Sequence, residues 1–430
     1  MIPVDLELAA RQAAGRPVNV AMVGAGVTGR AVALTLLTPP PGIRLAAIAN
    51  RTLAHAERAY AEAGAPSVRR SVGPAEVEAA VARGEFTVTD DPLAVCAAGN
   101  VDLVIEVTGT LEHGAAVTEA AIAHGKHVVL VNAELDSTVG PILKARADAA
   151  GVVLTNTDGD EPGVAMTLLR YLRGLGLRPV AAGNLKGMVD HYRTPETQRA
   201  FAEKYGQDAR KVTSFADATK LSMEATILAN ASGFRVGRRG MHGPACAHVS
   251  EVAGLLPAAE MLATGLVDYA LGAAPHTGAF VVVHEDAPLK RAQLGYYKLG
   301  DGPFYVFHTP FHLPHLQVAS TIGRAVLGGD ATVAPRGGPV CEVVTIAKRD
   351  LRAGELLDGV GGFDAYGLVD NAAAARAADA LPMGLSEGAR LLRDVPRDGL
   401  VRFGDVERPA GRRVDALWAE QAARWPGGGA

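Results

Sequence analysis

Short, almost wholly apolar runs alternate with helical segments over the first 160 residues. The apolar runs cover residues 18–23, 43–49, 101–109, 127–132 and 152–155. Helical periodicity follows them at 30–37, 53–62, 114–125 and 143–150. Strands that are apolar at every position are buried on both faces, as in a parallel sheet covered by helices. The pattern therefore predicts an α/β domain with a doubly wound parallel sheet over residues 1–160.

The pattern becomes mixed after residue 162. Strands are predicted at 180–188, 279–284 and 302–307, the last two antiparallel, with helical segments around them. We expect a mixed α/β catalytic domain over residues 161–333, whose helix at 316–328 packs back on the first domain. Residues 334–339 are rich in Gly and Pro and are typical of a linker. A small β-rich module is predicted beyond it, over residues 338–410.

Composition narrows the classes of function. A net charge of −4 over 430 residues gives no reason to expect nucleic acid or an anionic membrane as partner. No apolar stretch approaches the roughly 18 residues that cross a bilayer, and the first residues lack the pattern of a signal peptide. Three well-separated cysteines without metal-ligand spacing are typical of reduced thiols. We therefore expect a cytoplasmic protein that acts on a small molecule.

A glycine-rich turn joins the first strand to the first helix. Its residues are Gly24, Ala25, Gly26, Val27, Thr28 and Gly29. In a G-x-G-x-x-G turn the first glycine makes the bend, the second lets the backbone approach a pyrophosphate, and the third lets helix and strand pack. The pyrophosphate then lies at the positive end of the helix. The turn predicts a Rossmann domain that binds a nicotinamide dinucleotide.

The residues after the second strand bear on the choice of cofactor. An Asp or Glu there would bind the ribose 2′-hydroxyl of NAD, but this chain has Asn50, Arg51 and Thr52. Arg51 could bind a 2′-phosphate through two hydrogen bonds, with Thr52 as a further donor, so NADP(H) is favoured over NAD(H). The alternative is that Arg51 is merely solvated and both cofactors are accepted.

Polar residues end the next two strands. Thr108 and Gly109 follow one strand and Asn132 follows the other. Because ligands bind at the carboxyl edge of open α/β sheets, we expect these residues to line the nicotinamide ribose. Glu134 is expected to face the nicotinamide or the substrate.

Three carboxylates lie on one turn, at Asp158, Asp160 and Glu161. Like charges this close raise one another's pKa and require a lysine or a metal nearby. Catalytic roles for Asp160 and Glu161 are one interpretation. The other is simple capping of a helix that has Pro162 in its first turn.

Two lysines are candidates for catalysis. Lys186 emerges from the end of the predicted strand at 180–188, and Lys220 shares a helix face with Asp217 and Glu224 at i, i+3 and i+7. Apolar neighbours predict that this helix is buried, and a buried lysine beside carboxylates can donate a proton to a carbonyl. The alternative is an exposed face crossed by salt bridges.

Three histidines, His308, His312 and His315, have a spacing that would suit one face of a helix. Pro310 and Pro314 oppose a regular helix there, so loop packing is favoured over a metal site. His312 is kept as a candidate for the substrate site.

Several longer motifs resemble known enzymes. Residues 20–29, 106–109 and 217–222 resemble homoserine dehydrogenases. A closer resemblance is to the 1-deoxy-D-xylulose 5-phosphate reductoisomerase-like branch of that superfamily, which carries a C-terminal SAF module. The motifs for this branch are residues 131–136, 159–163, 184–187, 194–198, 211–220 and 237–244. The resemblance covers essentially the whole chain, and residues 338–410 resemble the SAF module.

The resemblance implies an NAD(P)-binding Rossmann domain, a catalytic and dimerisation domain, and a homodimer. The lysine that serves substrate binding and catalysis in homoserine dehydrogenases matches Lys220. Their second lysine, in an Ala-Asn-Lys loop, is absent here because Asn132 is followed by Ala133 and Glu134. Plain homoserine dehydrogenase activity is therefore disfavoured.

A phosphorylated substrate, which the reductoisomerase-like branch implies, would need cations. Lys186, Arg193, Lys204 and Lys211 are available, and Asp190 stands close to Arg193. Classical reductoisomerases hold a divalent metal with carboxylates; whether the turn at 158–161 does so is left open by the sequence.

These observations predict an NADP-dependent oxidoreductase acting on the CH–OH group, or the carbonyl, of a small phosphorylated or carboxylated substrate. A reaction like that of deoxyxylulose phosphate reductoisomerase is one specific form of it. The alternatives are homoserine dehydrogenase and a non-catalytic sensor that binds a dinucleotide.

Overall fold

The computed structural model describes residues 4–38 and 42–429. Within those ranges no helix combines the length and apolar character needed to cross a membrane. The described residues fall into two compact units. The Rossmann unit comprises Ile2–Asp160 and Leu313–Ala334, and the mixed-sheet unit comprises Glu161–His312 and Pro335–Ala430, each as far as described. The division into three domains stays a prediction.

A parallel sheet forms the centre of the Rossmann unit. Its strands in the described residues are β1 (Val18–Val23), β2 (Ile43–Ala49), β3 (Val68–Arg70), β4 (Phe86–Thr89), β5 (Leu103–Glu106), β6 (His127–Leu130) and β7 (Leu154–Asn156). Their order is β3-β4-β2-β1-β5-β6-β7, and every neighbouring pair runs parallel. The helices before residue 160 are α1 (Asp5–Ala13), α2 (Val27–Leu37), α3 (Leu53–Glu62), α4 (Gly73–Ala82), α5 (Pro92–Ala97), α6 (Leu111–Ala123) and α7 (Ala133–Ala149). The predicted α/β class with a parallel sheet is confirmed.

The strand order reverses next to β1, which has β2 on one side and β5 on the other. Such a reversal opens a crevice at the carboxyl ends of the two strands, where ligands bind in open α/β sheets. The strands are apolar because both faces are covered: Val20, Met22 and Ile105 are fully buried. The glycine turn follows β1 at this point.

Two regions of the Rossmann unit differ from the sequence pattern. The pattern misses β3 and β4, which are short, and β3 contains the charged pair Arg69 and Arg70. Helix α7 begins ten residues before the predicted helix, because the Asn132 side chain caps it by accepting from the N–H of Leu135. Pro141 inside α7 concealed its periodicity. Asn132 therefore lies two residues after the end of β6 and caps the next helix.

A mixed sheet forms the first part of the other unit. Its elements are α8 (Glu161–Gly174), β8 (Arg178–Lys186), α9 (Pro195–Lys204), α10 (Ala209–Ala216), α11 (Thr219–Ser232), α12 (Val252–Leu255), α13 (Ala258–Thr264), β9 (Leu266–Leu271), β10 (Ala279–His284), α14 (Pro288–Tyr296) and β11 (Phe304–Thr309). The order is β11-β10-β8-β9, in which β8 and β9 are parallel and the other pairs antiparallel. The predicted antiparallel pairing of β10 with β11 is confirmed. Helices α8 and α11 pack on β8 and on each other.

Helix α15 (Val318–Gly328) returns to the Rossmann unit. Val318, Ile322 and Ala325 are buried in the same apolar core as β1 and β2. Beyond α15, Val333 extends the contact by exchanging hydrogen bonds with the hydroxyl of Thr155. The Rossmann core is therefore built from two separate stretches of chain.

The C-terminal segment, Pro335–Ala430, lies in the mixed-sheet unit. Its elements are β12 (Cys341–Ala347), β13 (Ala365–Asn371), α16 (Ala372–Ala377), β14 (Arg390–Leu391), β15 (Val406–Glu407) and α17 (Arg413–Arg424). β12 pairs with β13, and β14 with β15, both antiparallel. Val344 and Ile346 of β12 and Tyr366 of β13 belong to one small apolar core.

Candidate active site

The glycine turn has the close contacts that its three glycines would require. Gly24 has φ +111°, and a Cβ there would lie 2.9 Å from the carbonyl oxygen of Val107. A Cβ on Gly29 would lie 2.5 Å from the carbonyl oxygen of Gly24. A Cβ on Gly26, in contrast, would meet no protein atom within 4 Å. The fold itself therefore requires glycine at the first and third positions, whereas the second is open to a ligand that approaches the backbone.

The turn leads directly into the N-terminus of α2. Gly26 is the N-cap, and Val27 and Thr28 lie in the first turn of this 11-residue helix. Helix N-termini present N–H groups and a partial positive charge to anions. The arrangement fits the pyrophosphate of a dinucleotide.

Asn50 supports the glycine turn. Its Oδ1 accepts a hydrogen bond from the N–H of Ala25 (3.1 Å), and its Nδ2 donates to the carbonyl of Thr52 (2.9 Å). Arg51 is exposed, and no partner for its side chain occurs among the described residues. Asn50 is thus occupied within the protein, whereas Arg51 is available to a ligand; the cofactor contacts of both residues stay predictions.

A buried carboxylate, Glu106, organises the loop after β5. It accepts hydrogen bonds from the N–H and the hydroxyl of Thr108 and, at 2.8 Å, from Nδ2 of Asn132. Burial raises the pKa of Glu106, although these hydrogen bonds oppose the rise. The sequence offered a signal for it, since a lone carboxylate ends an otherwise apolar strand. It is not among our predicted site residues.

The loop that Glu106 holds contains the predicted ribose contacts. Thr108 and Asn132 direct their side chains at Glu106, and Gly109 has φ +68°. Glu134 lies in the first turn of α7. Any contact of Thr108 or Asn132 with a cofactor would therefore use the atoms that Glu106 leaves available.

The mixed-sheet unit brings Lys186 together with two buried carboxylates. Lys186 ends β8, Glu161 begins α8, and Glu224 lies on the second turn of α11. The ammonium of Lys186 lies 2.7 Å from Glu161 Oε1 and 3.3 Å from Glu224 Oε2. Asn184, two residues earlier on β8, donates to the same oxygen of Glu224 at 2.9 Å. We call Glu161, Lys186 and Glu224 the lysine cluster.

His312 adjoins the lysine cluster. Its Nε2 lies 3.6 Å from Glu161 Oε2, and its Nδ1 lies 3.0 Å from the hydroxyl of Thr277. Its side chain is 29% exposed, against 5% for Glu161, so it stands at the accessible edge. His308 lies instead against His248, with ring centroids 6.2 Å apart. The predicted substrate residue His312 thus lies beside the cluster.

The charges in the cluster hold one another in place. Burial by itself raises the pKa of Glu161, but Lys186, His312 and a side-chain hydrogen bond with Glu224 together lower it to about 2. Burial lowers the pKa of Lys186, and the two carboxylates outweigh that effect and raise it above its ordinary value. At neutral pH the cluster therefore contains an ionised Glu161 and a protonated Lys186.

The three carboxylates of the acidic turn have different environments. In the Rossmann unit, Asp158 Oδ2 accepts from Arg324 at 3.1 Å and from Ser320 at 3.0 Å. Asp160 is half-buried directly before α8. In the mixed-sheet unit, Glu161 is bound by Lys186. The turn therefore does more than cap a helix.

These environments do not fit a metal ion. Glu161 and Glu224 lie close enough to share a cation, and the ammonium of Lys186 already occupies that role. A divalent ion would have to displace a buried, doubly paired lysine. We therefore assign no metal to the cluster.

The prediction that Asp217, Lys220 and Glu224 share one helix face is only partly correct. α11 starts at Thr219, and Ala218 before it has φ +74°, so Asp217 is not part of this helix. Asp217 is fully buried and pairs with Lys348 at 2.9 Å. Lys220, half-buried in the first turn, and Glu224, one turn later, do share a face.

The other predicted substrate residues are spread over the segment before α11. Arg193 pairs with Asp190 at 2.9 Å. Lys204 ends α9 and lies over the ring of Tyr205. Lys211 is exposed in the first turn of α10. Their roles stay predictions.

Two family models match adjacent parts of the chain. Residues 18–130 match the oxidoreductase family with an NAD-binding Rossmann fold, and residues 159–318 match the catalytic domain of oxidoreductase DRL. No curated protein matches the sequence.

Solved structures similar to this chain include several oxidoreductases. An NAD binding oxidoreductase from Klebsiella pneumoniae is 21% identical, over 40% of this chain and 43% of its own length, with a TM-score of 0.30. This alignment thus spans less than half of that protein. A probable dehydrogenase from Thermotoga maritima is 15% identical, over 74% of this chain and 90% of its own length, with a TM-score of 0.43. A homoserine dehydrogenase from Thiobacillus denitrificans is 17% identical, over 79% and 83%, with a TM-score of 0.41.

The two matched segments coincide with the two sites described above. The Rossmann match covers the glycine turn and strands β1 to β6. The DRL match covers all three residues of the lysine cluster. The chain therefore combines an NAD-binding Rossmann domain of the oxidoreductase type with a segment that matches the catalytic domain of oxidoreductase DRL.

Proposed function

We propose that this protein is an NADP-dependent oxidoreductase that interconverts a hydroxyl and a carbonyl group on a small phosphorylated or carboxylated substrate. The observation that carries the proposal is the lysine cluster, in which a protonated lysine is held between two buried carboxylates. An oxidoreductase that reduces a carbonyl must stabilise the negative charge that develops on oxygen, and a fixed cation does so.

The Rossmann unit would hold the cofactor. The glycine turn and the N-terminus of α2 suit the pyrophosphate, and Arg51 with Thr52 suits the 2′-phosphate of NADP. When bound, NADPH supplies the hydride. Asn50 supports the turn by accepting a hydrogen bond from the N–H of Ala25.

Lys186 serves as a fixed positive charge. Because its pKa is raised above the ordinary lysine value, it keeps its proton at neutral pH and is poorly suited to release it. Its charge can instead attract the carbonyl oxygen and stabilise the alkoxide that forms there. Glu161 and Glu224 position its ammonium, and Asn184 in turn positions Glu224.

Lys220 is proposed as the proton donor. It lies on the same face of α11 as Glu224, one turn away, which points it toward the side of the helix that carries the cluster. His312, at the accessible edge, is proposed to contact the substrate. Arg193, Lys204 and Lys211 remain our candidates for the anionic group of the substrate.

NADPH oxidation with a panel of carbonyl compounds tests this function. The panel contains phosphorylated and carboxylated ketones and aldehydes, including 1-deoxy-D-xylulose 5-phosphate and the aldehyde that homoserine dehydrogenases reduce. We expect turnover with at least one of them and a smaller rate with NADH. Tight NADPH binding without turnover on any compound would instead favour the dinucleotide sensor.

Lys186→Met tests the site. The variant should lower kcat by about 10²-fold or more, as the loss of one charge-stabilising donor does in other enzymes, and should leave the Kd for NADPH unchanged. Lys220→Ala should also abolish turnover and spare NADPH binding. Lys290→Met is the matched control, since Lys290 is an exposed lysine that pairs with Glu285 outside the lysine cluster and should be dispensable. Full activity of Lys186→Met would contradict the proposal.

The match of residues 159–318 to the DRL catalytic domain favours one specific form of the reaction. In it, the carbon skeleton of deoxyxylulose phosphate rearranges before the carbonyl is reduced. Analysis of the product by mass spectrometry and NMR distinguishes a rearranged, reduced product from a simply reduced one.

A further inference from the structure

Lys348 is an almost fully buried lysine outside the lysine cluster. It follows β12 directly, and its side chain is 3% exposed. Its ammonium donates to Asp217 Oδ2 (2.9 Å), to the carbonyl of Arg193 (2.7 Å) and to the carbonyl of Gly362 (2.8 Å). All three of its N–H donors are therefore satisfied. Each acceptor is on a different stretch of chain.

Asp217 connects Lys348 to the first residue of α11. While Oδ2 binds Lys348, Oδ1 accepts from the N–H of Thr219 at 2.9 Å. Between them, Ala218 has φ +74°, a left-handed conformation that is unfavourable for a residue with a Cβ and that persists only where the surroundings impose it. The Asp217 carboxylate, held by Lys348, spans Ala218 by binding the N–H of Thr219.

Strand β13 holds the same turn from another side. The N–H of Gly367 donates to the hydroxyl of Thr219 at 2.8 Å. A Cβ on Gly367 would lie 3.1 Å from Cγ2 of Thr219 and 2.7 Å from Cγ1 of Val343, so only glycine allows this approach. The C-terminal segment thus binds Asp217 and Thr219, the residues on either side of Ala218.

We propose that the C-terminal segment positions Lys220 for catalysis, with Lys348 and Asp217 as its positioning pair. This inference rests on the proposed role of Lys220 as proton donor. The segment touches the chain directly before Lys220, and the left-handed residue there determines the direction in which α11 starts. Without the pair, Ala218 relaxes, and the first turn of α11, with Lys220 in it, changes position.

The kinetic test removes both charges together, because removing one would leave the other buried and unpaired. Lys348→Met/Asp217→Asn should lower kcat at least tenfold and leave the Kd for NADPH unchanged, measured at a temperature where circular dichroism shows the variant to be folded. The matched control is Arg376→Met/Glu342→Gln, which removes another largely buried pair of the same segment (2.8 Å). It should keep kcat within about twofold. An unchanged kcat in the folded Lys348/Asp217 variant would overturn the proposal.

A second measurement does not depend on turnover. The rate at which acetic anhydride modifies Lys220 in the full chain, followed by mass spectrometry of the peptide, reports on the environment of that amine. Relative to the exposed Lys298, this rate should change at least threefold in Lys348→Met/Asp217→Asn and stay unchanged in the control variant. If the native protein reduces no carbonyl but Lys220 reactivity changes, the proposed function fails and the positioning holds. If Lys220 reactivity stays the same, the positioning fails whatever the activity.

Discussion

Glu161 couples the lysine cluster to the pH dependence of stability. Glu161→Gln keeps the shape of the side chain and one acceptor for Lys186 but removes the negative charge. In the native protein the carboxylate is 5% exposed and lies 2.7 Å from the Lys186 ammonium. The variant therefore weakens a buried ion pair without creating a cavity.

The size of the effect follows from the pKa of Glu161. It lies at about 2 in the folded protein, against 4.5 for the free side chain, and this difference corresponds to about 3 kcal/mol. Because the folded pKa is the lower of the two, the contribution is fully present above pH 4.5. It is lost as the pH falls toward 2, where the carboxylate becomes protonated in both states.

Urea unfolding followed by tryptophan fluorescence between pH 2.5 and 7 measures this contribution. Both tryptophans of the chain, Trp418 and Trp425, belong to the unit that contains Glu161, so the signal reports on that unit. At pH 7 we expect the free energy of unfolding of Glu161→Gln to be lower by up to about 3 kcal/mol. The difference should shrink steadily below pH 4.5.

The control is Glu57→Gln, which removes a half-buried carboxylate paired with the exposed Arg70. Exposed pairs contribute little, so its unfolding curve should follow that of the native protein at each pH. The reasoning would be refuted if native and Glu161→Gln proteins differed by the same amount at pH 3 and pH 7.

Three further predictions concern the Rossmann turn and the thiols. Gly29→Ala should lower the thermal stability of the protein, because the added Cβ would lie 2.5 Å from a carbonyl oxygen. Gly26→Ala should leave thermal stability unchanged, since its Cβ meets no protein atom within 4 Å, and should weaken dinucleotide binding. Thermal melting and cofactor titration distinguish the two effects. Arg51→Ala should raise the Kd for NADPH about tenfold or more, as the loss of one charged hydrogen-bond donor predicts, and should change the Kd for NADH much less. Equal changes for both cofactors would exclude a contact between Arg51 and the 2′-phosphate. Burial raises the pKa of Cys96 and of Cys341 to about 12, so neither should react with iodoacetamide at pH 8 until the protein unfolds, as mass spectrometry can show.

The sequence predicted the central strands of the Rossmann sheet well, because strands buried on both faces appear in the sequence as continuous apolar runs. The bounds of β1 and β2 agree with the apolar runs to the residue. Edge strands leave a weaker mark: β3 is three residues long and two of them are arginines. The start of α7 was missed because a strand, a capping asparagine and a helix follow one another without a turn.

The site was harder to predict, since its contacts join distant parts of the chain. Lys186 meets Glu161 across 25 residues and Glu224 across 38, and no local spacing encodes either contact. Asp217 was placed on the wrong element because Ala218 adopts a positive φ, which a sequence pattern does not assign to alanine. Its partner, Lys348, lies 131 residues away.

Helix α15 has a consequence for the order in which this chain can fold during synthesis. Residues 313–334 leave the ribosome after the entire mixed sheet has been made, yet Val318 and Ile322 complete the apolar core around β1 and β2. Until then the nascent Rossmann unit exposes the apolar surface that these residues will cover, and Asp158 lacks its ion-pair partner Arg324. A fragment that stops at residue 160 would keep that surface exposed and should aggregate, so the dinucleotide-binding unit cannot be isolated by a single cut in the gene.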